Sequence, residues 1–162
     1  EEGRKLSFGV ISFYSAQVNE VRKAMVREGL AKKLPAIGIK INEQYQFMED
    51  GESERLRVGT VDAFQGMEFD VVFLSMVRSQ NMDKLPRHLK KLKDEALLGR
   101  RLFGHLVSEN RLCVSMSRQK KLLVVVGDSE YVQTDIARKM VPALGNYFDL
   151  CREEGVVNDQ VN

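Results

Sequence analysis

The chain has 162 residues, about one domain's worth, and is 43% hydrophobic and 30% charged. That balance is too apolar for a disordered chain and too charged for a membrane one, and the longest unbroken apolar run, residues 122–127, falls far short of a bilayer span. A net charge of +2 does not by itself point to nucleic acid, and no N-terminal stretch has the order of a secretory signal, so a soluble, intracellular protein without a membrane partner is expected.

Residues 6–14 (LSFGVISFY) form a nearly continuous apolar run, the pattern of a parallel strand covered on both faces. Ser15 then stands where a helix N-cap belongs, and Val18, Val21, Met25 and Leu30 follow at helical spacing until Lys32, Lys33 and Pro35. Residues 37–41 are a second, weaker strand candidate, and 49–54 an acidic loop. Residues 57–64 and 69–77 read as two further strands with Gln65-Gly66 in the turn between them. From 84 to 101 the chain carries seven Lys or Arg against only Asp94 and Glu95. Leu85, Leu89, Leu92, Leu97 and Leu98 give that stretch helical periodicity after Pro86. Residues 108–118 predict a helix opened by Ser108 and Glu109, and 122–126 a buried strand closed by Gly127-Asp128. Residues 130–152 have helical spacing through Val132, Ile136, Met140 and Leu144, with Gly145 as the expected break.

Strands alternating with helices predict a three-layer α/β domain with a mostly parallel central sheet, spanning residues 1–155 and followed by a polar tail at 156–162. Cys113 and Cys151 lie far apart within apolar patterns and read as two buried free thiols. His88 and His105 stand alone, so spacing assembles no metal set.

Two segments carry chemistry. In Val61-Asp62-Ala63-Phe64-Gln65-Gly66-Met67-Glu68-Phe69-Asp70, Gly66 permits a close backbone approach or a positive φ. Polar groups at strand ends line the crevice where α/β sheets bind ligands. There Gln65 can hydrogen-bond a phosphate or an attacking water, and Glu68 can accept from a ribose hydroxyl; an ordinary hairpin-like turn with charged flanks fits the spacing equally well. In Asn110-Arg111-Leu112-Cys113-Val114-Ser115-Met116-Ser117-Arg118-Gln119-Lys120, Arg111 and Arg118 are seven apart and share a face if the helix continues. A guanidinium at such a helix end suits a nucleotide's terminal phosphate, though two solvated arginines beside a buried helix would show the same spacing.

Together, and in this order, these segments resemble the C-terminal motor-domain motifs of superfamily-one helicases, in the group that includes the nonsense-mediated-decay helicase and senataxin. Residues 61–70 are similar to that group's fifth motif, 110–120 to its sixth, and 9–17 (GVISFYSAQ) to its fourth. The resemblance implies a second RecA-like domain, of the P-loop NTPase type. It implies that Gly66 and Glu68 face the nucleotide, with Arg118 as the arginine finger and Gln65 coupling the nucleotide cleft to the strand-binding surface. Gln17, Ser12 and Tyr14 would lie near the cleft or the nucleic-acid backbone, and Thr60 and Asp62 on the nucleic-acid side. Ser12-Phe13 stands where the group has Thr-Pro, Cys113 where it has Asn, and Ser117 where it has Thr. The stretch from 80 to 104 reads as a basic insertion whose Lys90 and Lys91 either touch phosphates or face solvent.

The sequence contains no Gly-x-x-x-x-Gly-Lys-Ser/Thr loop. In the resembled group that loop and the magnesium-holding acidic pair lie on the preceding motor domain, so the resemblance implies an ATP site completed, with Mg²⁺, by an upstream RecA-like domain. It also implies a fragment of a longer chain that starts just before the fourth motif and lacks its domain's first strand. The implied partner is single-stranded RNA or DNA, and the implied activity ATP-dependent helicase action. The rivals are a degenerate RecA-like domain that binds nucleic acid or protein without ATPase activity, and another α/β nucleotide-binding fold. The absence of Gly-x-Gly-x-x-Gly after the first strand counts against the latter.

Overall fold

Among residues 6–77, 89 and 91–158, which the computed structural model describes, the strands gather in one unit and most helices in another. The first unit comprises Glu1–Val77 and Cys113–Val126. Its elements are β1 (Phe8–Ser12), α1 (Ser15–Arg27), β2 (Ala31–Leu34), β3 (Gly38–Ile41), α2 (Glu43–Gln46), β4 (Leu56–Thr60), a 3₁₀ turn (Val61–Phe64), β5 (Phe69–Ser75) and, late in the chain, β6 (Gln119–Val126). Four strands make a wholly parallel sheet in the order β4-β1-β5-β6, while β2 and β3 pair antiparallel as a separate hairpin. The fold is thus α/β and RecA-like, as the alternation of strands and helices predicts. Ile11 of β1 and Val72 and Leu74 of β5, which the register places on one face of the sheet, have no exposed surface, whereas on the other face Val10 is half-buried and Phe73 is 36% exposed, so cover is complete on one side only and not on both as expected. Val18 and Met25 of α1 join Ala31 and Val58 in a buried cluster.

Several elements differ from expectation for identifiable reasons. Ser15 is the first residue of α1 rather than its cap, and Tyr14 takes the cap position in extended conformation. The helix stops at Arg27 because Gly29 adopts φ +72°, its N–H reaching the Val26 carbonyl (3.2 Å) while Leu30 N–H reaches that of Met25 (2.8 Å). This paired closure satisfies the last carbonyls of a helix and turns the chain sharply, so Leu30 leads into β2 rather than extending α1. Strand spacing fails beyond Thr60, where residues 61–64 coil into the 3₁₀ turn. The strand expected at 122–126 starts earlier, at Gln119, and is not buried: among the described residues it pairs only with β5, at the sheet edge, and Leu122 and Val126 are 52% and 55% exposed.

The second unit comprises Arg78–Leu112 and Gly127–Asn162. It contains α3 (Glu95–Phe103), a 3₁₀ turn (Gly104–Val107), the start of α4 (Glu109–Ser115), α5 (Ser129–Val132), α6 (Asp135–Met140) and α7 (Pro142–Glu154). Asp94, Asp128 and Thr134 cap α3, α5 and α6, accepting from the N–H groups of Leu97, Tyr131 and Ala137 at 3.0, 2.9 and 3.3 Å. Phe103 stacks on Tyr131 with centroids 5.1 Å apart, and the Tyr131 hydroxyl donates to the Leu102 carbonyl. The 130–152 segment breaks twice, at Gln133–Thr134, where Thr134 caps α6, and at Val141–Pro142, not at Gly145, because proline lacks the N–H that helix continuation needs and suits a first turn instead. Gly145 lies inside α7, where a Cβ would come within 3.3 Å of Arg138 Cγ. Of the basic stretch, Lys90 and residues 84–88 lie outside the described residues; Leu89 is helical and buried, Lys91 is exposed, and α3 starts at Glu95. Cys113 is exposed and Cys151 partly exposed, so the two thiols are free but not buried as expected. No helix among the described residues is long and apolar enough to cross a membrane.

Candidate functional site

β4 and β5 run parallel on opposite sides of β1. The chain from 61 to 68 must therefore pass from the carboxyl end of β4 over β1 to the amino end of β5, which excludes a hairpin turn. Glycine at position 9 makes the crossing possible. Phe64 is fully buried, and a Cβ on Gly9 would meet its ring at 2.8 Å. Phe69 closes over the same spot, its ring centroid 5.5 Å from that of Phe64.

Past this anchor, Gln65, Gly66, Met67 and Glu68 are all exposed. Gly66 has φ +76° with nothing within 4 Å of a built Cβ, so glycine is required there for its conformation rather than for a close approach. Arg118 lies beyond the end of α4, so it does not share a helix face with Arg111. Its Nε donates to the Val114 carbonyl (3.0 Å), Nη2 to Ser117 Oγ (2.8 Å) and Nη1 to the Met67 carbonyl (3.4 Å). Phe69 N–H in turn donates to the Arg118 carbonyl at 2.9 Å, fixing the arginine's backbone against β5. Arg111 Nη1 sits 3.2 Å from His105 Nδ1.

The same end of the sheet is tied by Asp70. Its Oδ2 accepts from Ser7 N–H (2.9 Å) and Ser7 Oγ (3.0 Å), Ser7 Oγ accepts from Asp70 N–H, and Lys121 Nζ lies 3.3 Å from Oδ1. Hydrogen bonding from the Ser7 backbone, outweighing partial burial and helped by Lys121, holds the Asp70 carboxyl below its ordinary value.

At the opposite end, Thr60, Ser12, Ser75 and Val126 stand in register across β4, β1, β5 and β6. The Ser12 hydroxyl, almost fully buried, donates to the Ser75 carbonyl (3.3 Å), and Gln17 Nε2 donates to Ser75 Oγ (3.2 Å). Tyr14 sits half-buried beside them at the start of α1, and Asp62 is exposed in the 3₁₀ turn. β5 spans seven residues, so the two ends lie ~20 Å apart.

The family described as AAA domain matches residues 1–130. The DNA polymerase alpha-associated DNA helicase A of Saccharomyces cerevisiae is 32% identical over 78% of the chain. MOV-10 of Gallus gallus is 30% identical over 91% of it, and helicase sen1 of Schizosaccharomyces pombe 27% over 78%. The chain belongs to the AAA-domain family, as a superfamily-one helicase-type domain of the decay-helicase and senataxin group. It spans 12% of the MOV-10 length and 13% of helicase A.

Within this helicase-type domain the expected site residues divide into two groups. Gly66, Glu68, Gln65 and Arg118 gather at the amino end of β5. Gln17 lies at the carboxyl end with Ser12, Tyr14 and Thr60, apart from the other residues expected to hold nucleotide. Helicases as a family use ATP and Mg²⁺. The guanidinium of Arg118 beside an exposed loop fits a triphosphate's negative charge, whereas no group of three or more metal-type ligands occurs among the described residues. Asp70 and Ser75 carry contacts that their sequence context does not signal: Asp70 ends the 61–70 segment, and Ser75 lies within the strand expected at 69–77.

Proposed function

We propose that this domain is the C-terminal RecA-like motor of an ATP-dependent RNA or DNA helicase. It completes the ATP site together with an upstream P-loop domain of the same chain, on which the Mg²⁺ ligands lie. The carrying observation is the position of Arg118, held by three hydrogen bonds against the exposed loop that contains Gly66 and Glu68. Arg118 supplies positive charge to the terminal phosphate as charge shifts during phosphoryl transfer. Glu68 accepts from the ribose, and the turn at Gly66 brings backbone to the nucleotide.

Single-stranded nucleic acid lies along the carboxyl edge, near Thr60, Asp62, Ser12, Tyr14 and Gln17. The crossing segment joins the two sites, since Thr60 precedes it and Glu68 ends it. Phe64, buried over Gly9, makes that segment stiff, so a shift of Gln65 to Glu68 on nucleotide binding is carried to Thr60 rather than absorbed. Lys90 and Lys91 add phosphate contacts from the basic insertion, and the protein works inside the cell.

The test is ATP hydrolysis by the parent protein with and without single-stranded RNA or DNA. Hydrolysis that rises with added strand, and is lost in this domain by itself, supports the reading. Strand binding without hydrolysis in the parent contradicts it and favours a binding module built on the same fold.

A further inference from the structure

Among the described residues β4 is an edge strand, paired with β1 alone. A groove of about 490 Å³ follows its whole length, lined also by α1 and β3, and ligand clefts typically fall within about 300–1,000 Å³. Phe8 N–H bonds the Arg55 carbonyl (2.6 Å), which sets the ladder so that the backbone of Leu56, Val58 and Thr60 points away from β1. An open edge of this kind invites an extended peptide. Here Arg22 Nη2 already donates to the Val58 carbonyl at 3.0 Å, occupying the acceptor at mid-strand. Charged side chains laid across an edge in this way obstruct strand addition.

The lining instead suits a polyanion. Arg22, Lys40 and Arg57 face the groove against Glu54 alone, three positive charges against one negative. Arg57 consumes that single carboxylate through a 2.6 Å contact. Lys40 has only a loose, exposed pairing with Glu43 at 3.6 Å, which is worth little in solution. Ser15, Asn19 and Thr60 add hydroxyl and amide groups at the carboxyl end. Gln46 also lines the groove, with its Oε1 buried and without a partner among the described residues.

We propose that this groove binds the phosphodiester backbone of a single strand that continues past Thr60, so that the strand leaves the sheet edge along β4. The inference rests on the strand-binding reading above and adds to it a path that none of the helicase-like motifs contains. Arg22, Lys40 and Asn19 lie outside all three motifs and make the contacts.

The experiment measures affinity of the parent protein for oligo(U) and oligo(dT) ladders, extended one nucleotide at a time, across a range of salt concentrations. Each phosphate contact contributes about 0.7 to the slope of log affinity against log salt for single strands. Lys40→Ala should lower the slope by about that amount, and Asn19→Lys should raise it similarly, only for strands long enough to pass Thr60. Lys40→Arg should restore the slope. A gain from Asn19→Lys cannot come from misfolding. Slopes unchanged at every length, with wild-type strand binding and strand-stimulated hydrolysis intact, would overturn the groove and leave the motor reading standing. Failure of the wild-type parent to bind any strand would overturn both.

Discussion

Ser117 shows how a single hydroxyl shapes the candidate site. It accepts from Arg118 Nη2 at 2.8 Å while donating to the Val114 carbonyl at 3.4 Å, so it bridges the end of α4 to the guanidinium. The substitution of Ser for the group's Thr keeps that bridge. Ser117→Ala removes one of three restraints on Arg118, and turnover by the parent protein should fall roughly fivefold with little change in nucleotide affinity, as expected for about 1 kcal/mol of lost positioning. Steady-state kinetics separate the two quantities. Asp70 makes a pH prediction. Its folded-state pKa is lowered, so the stability it contributes is full above the unfolded value of about 3.9 and is lost as pH falls through the folded one. The stability difference between wild type and Asp70→Asn should therefore be constant near neutrality and shrink below about pH 4. A difference that grows on acidification would contradict the Ser7 and Lys121 contacts as its source.

At the scale of elements, the crossing over β1 depends on a missing side chain. Gly9→Ala places a Cβ 2.8 Å from the Phe64 ring, which has no free space to retreat into, and should destabilise the domain by about 1–3 kcal/mol in urea titration of the parent. A neutral Gly9→Ala would mean that Phe64 does not anchor the crossing. The sequence pattern was readable where one force dominated. The apolar runs of β1 and β5 announced parallel strands, and one face of each is fully covered. It was less readable where competing signals overlapped. β2 begins with Ala31 but continues with Lys32 and Lys33, whose charges fit an exposed strand face as well as a helix end, and only pairing with β3 decides. The apolar β6 announced a buried strand, yet burial depends on position in the sheet, which local pattern does not encode. Glycine and proline signals competed in the last helical region, and the proline prevailed.

At the scale of the whole molecule, the chain belongs to a helicase family and places its motif residues at two ends of one sheet, ~20 Å apart. The motifs were legible because their residue types and order are distinctive. Their partition between the two ends was not, since Gln17 joins Ser75 only through the β1–β5 register. Under the proposed function, hydrolysis at one end is felt at the other, and the proposed chemistry converges on Arg118. The most direct measurement is strand-stimulated ATP turnover by the parent protein carrying Arg118→Ala. Arginine fingers contribute about 10³–10⁵ in rate, so the account predicts a loss of roughly a thousandfold or more with strand affinity and folding retained. Turnover near the wild-type rate would contradict it.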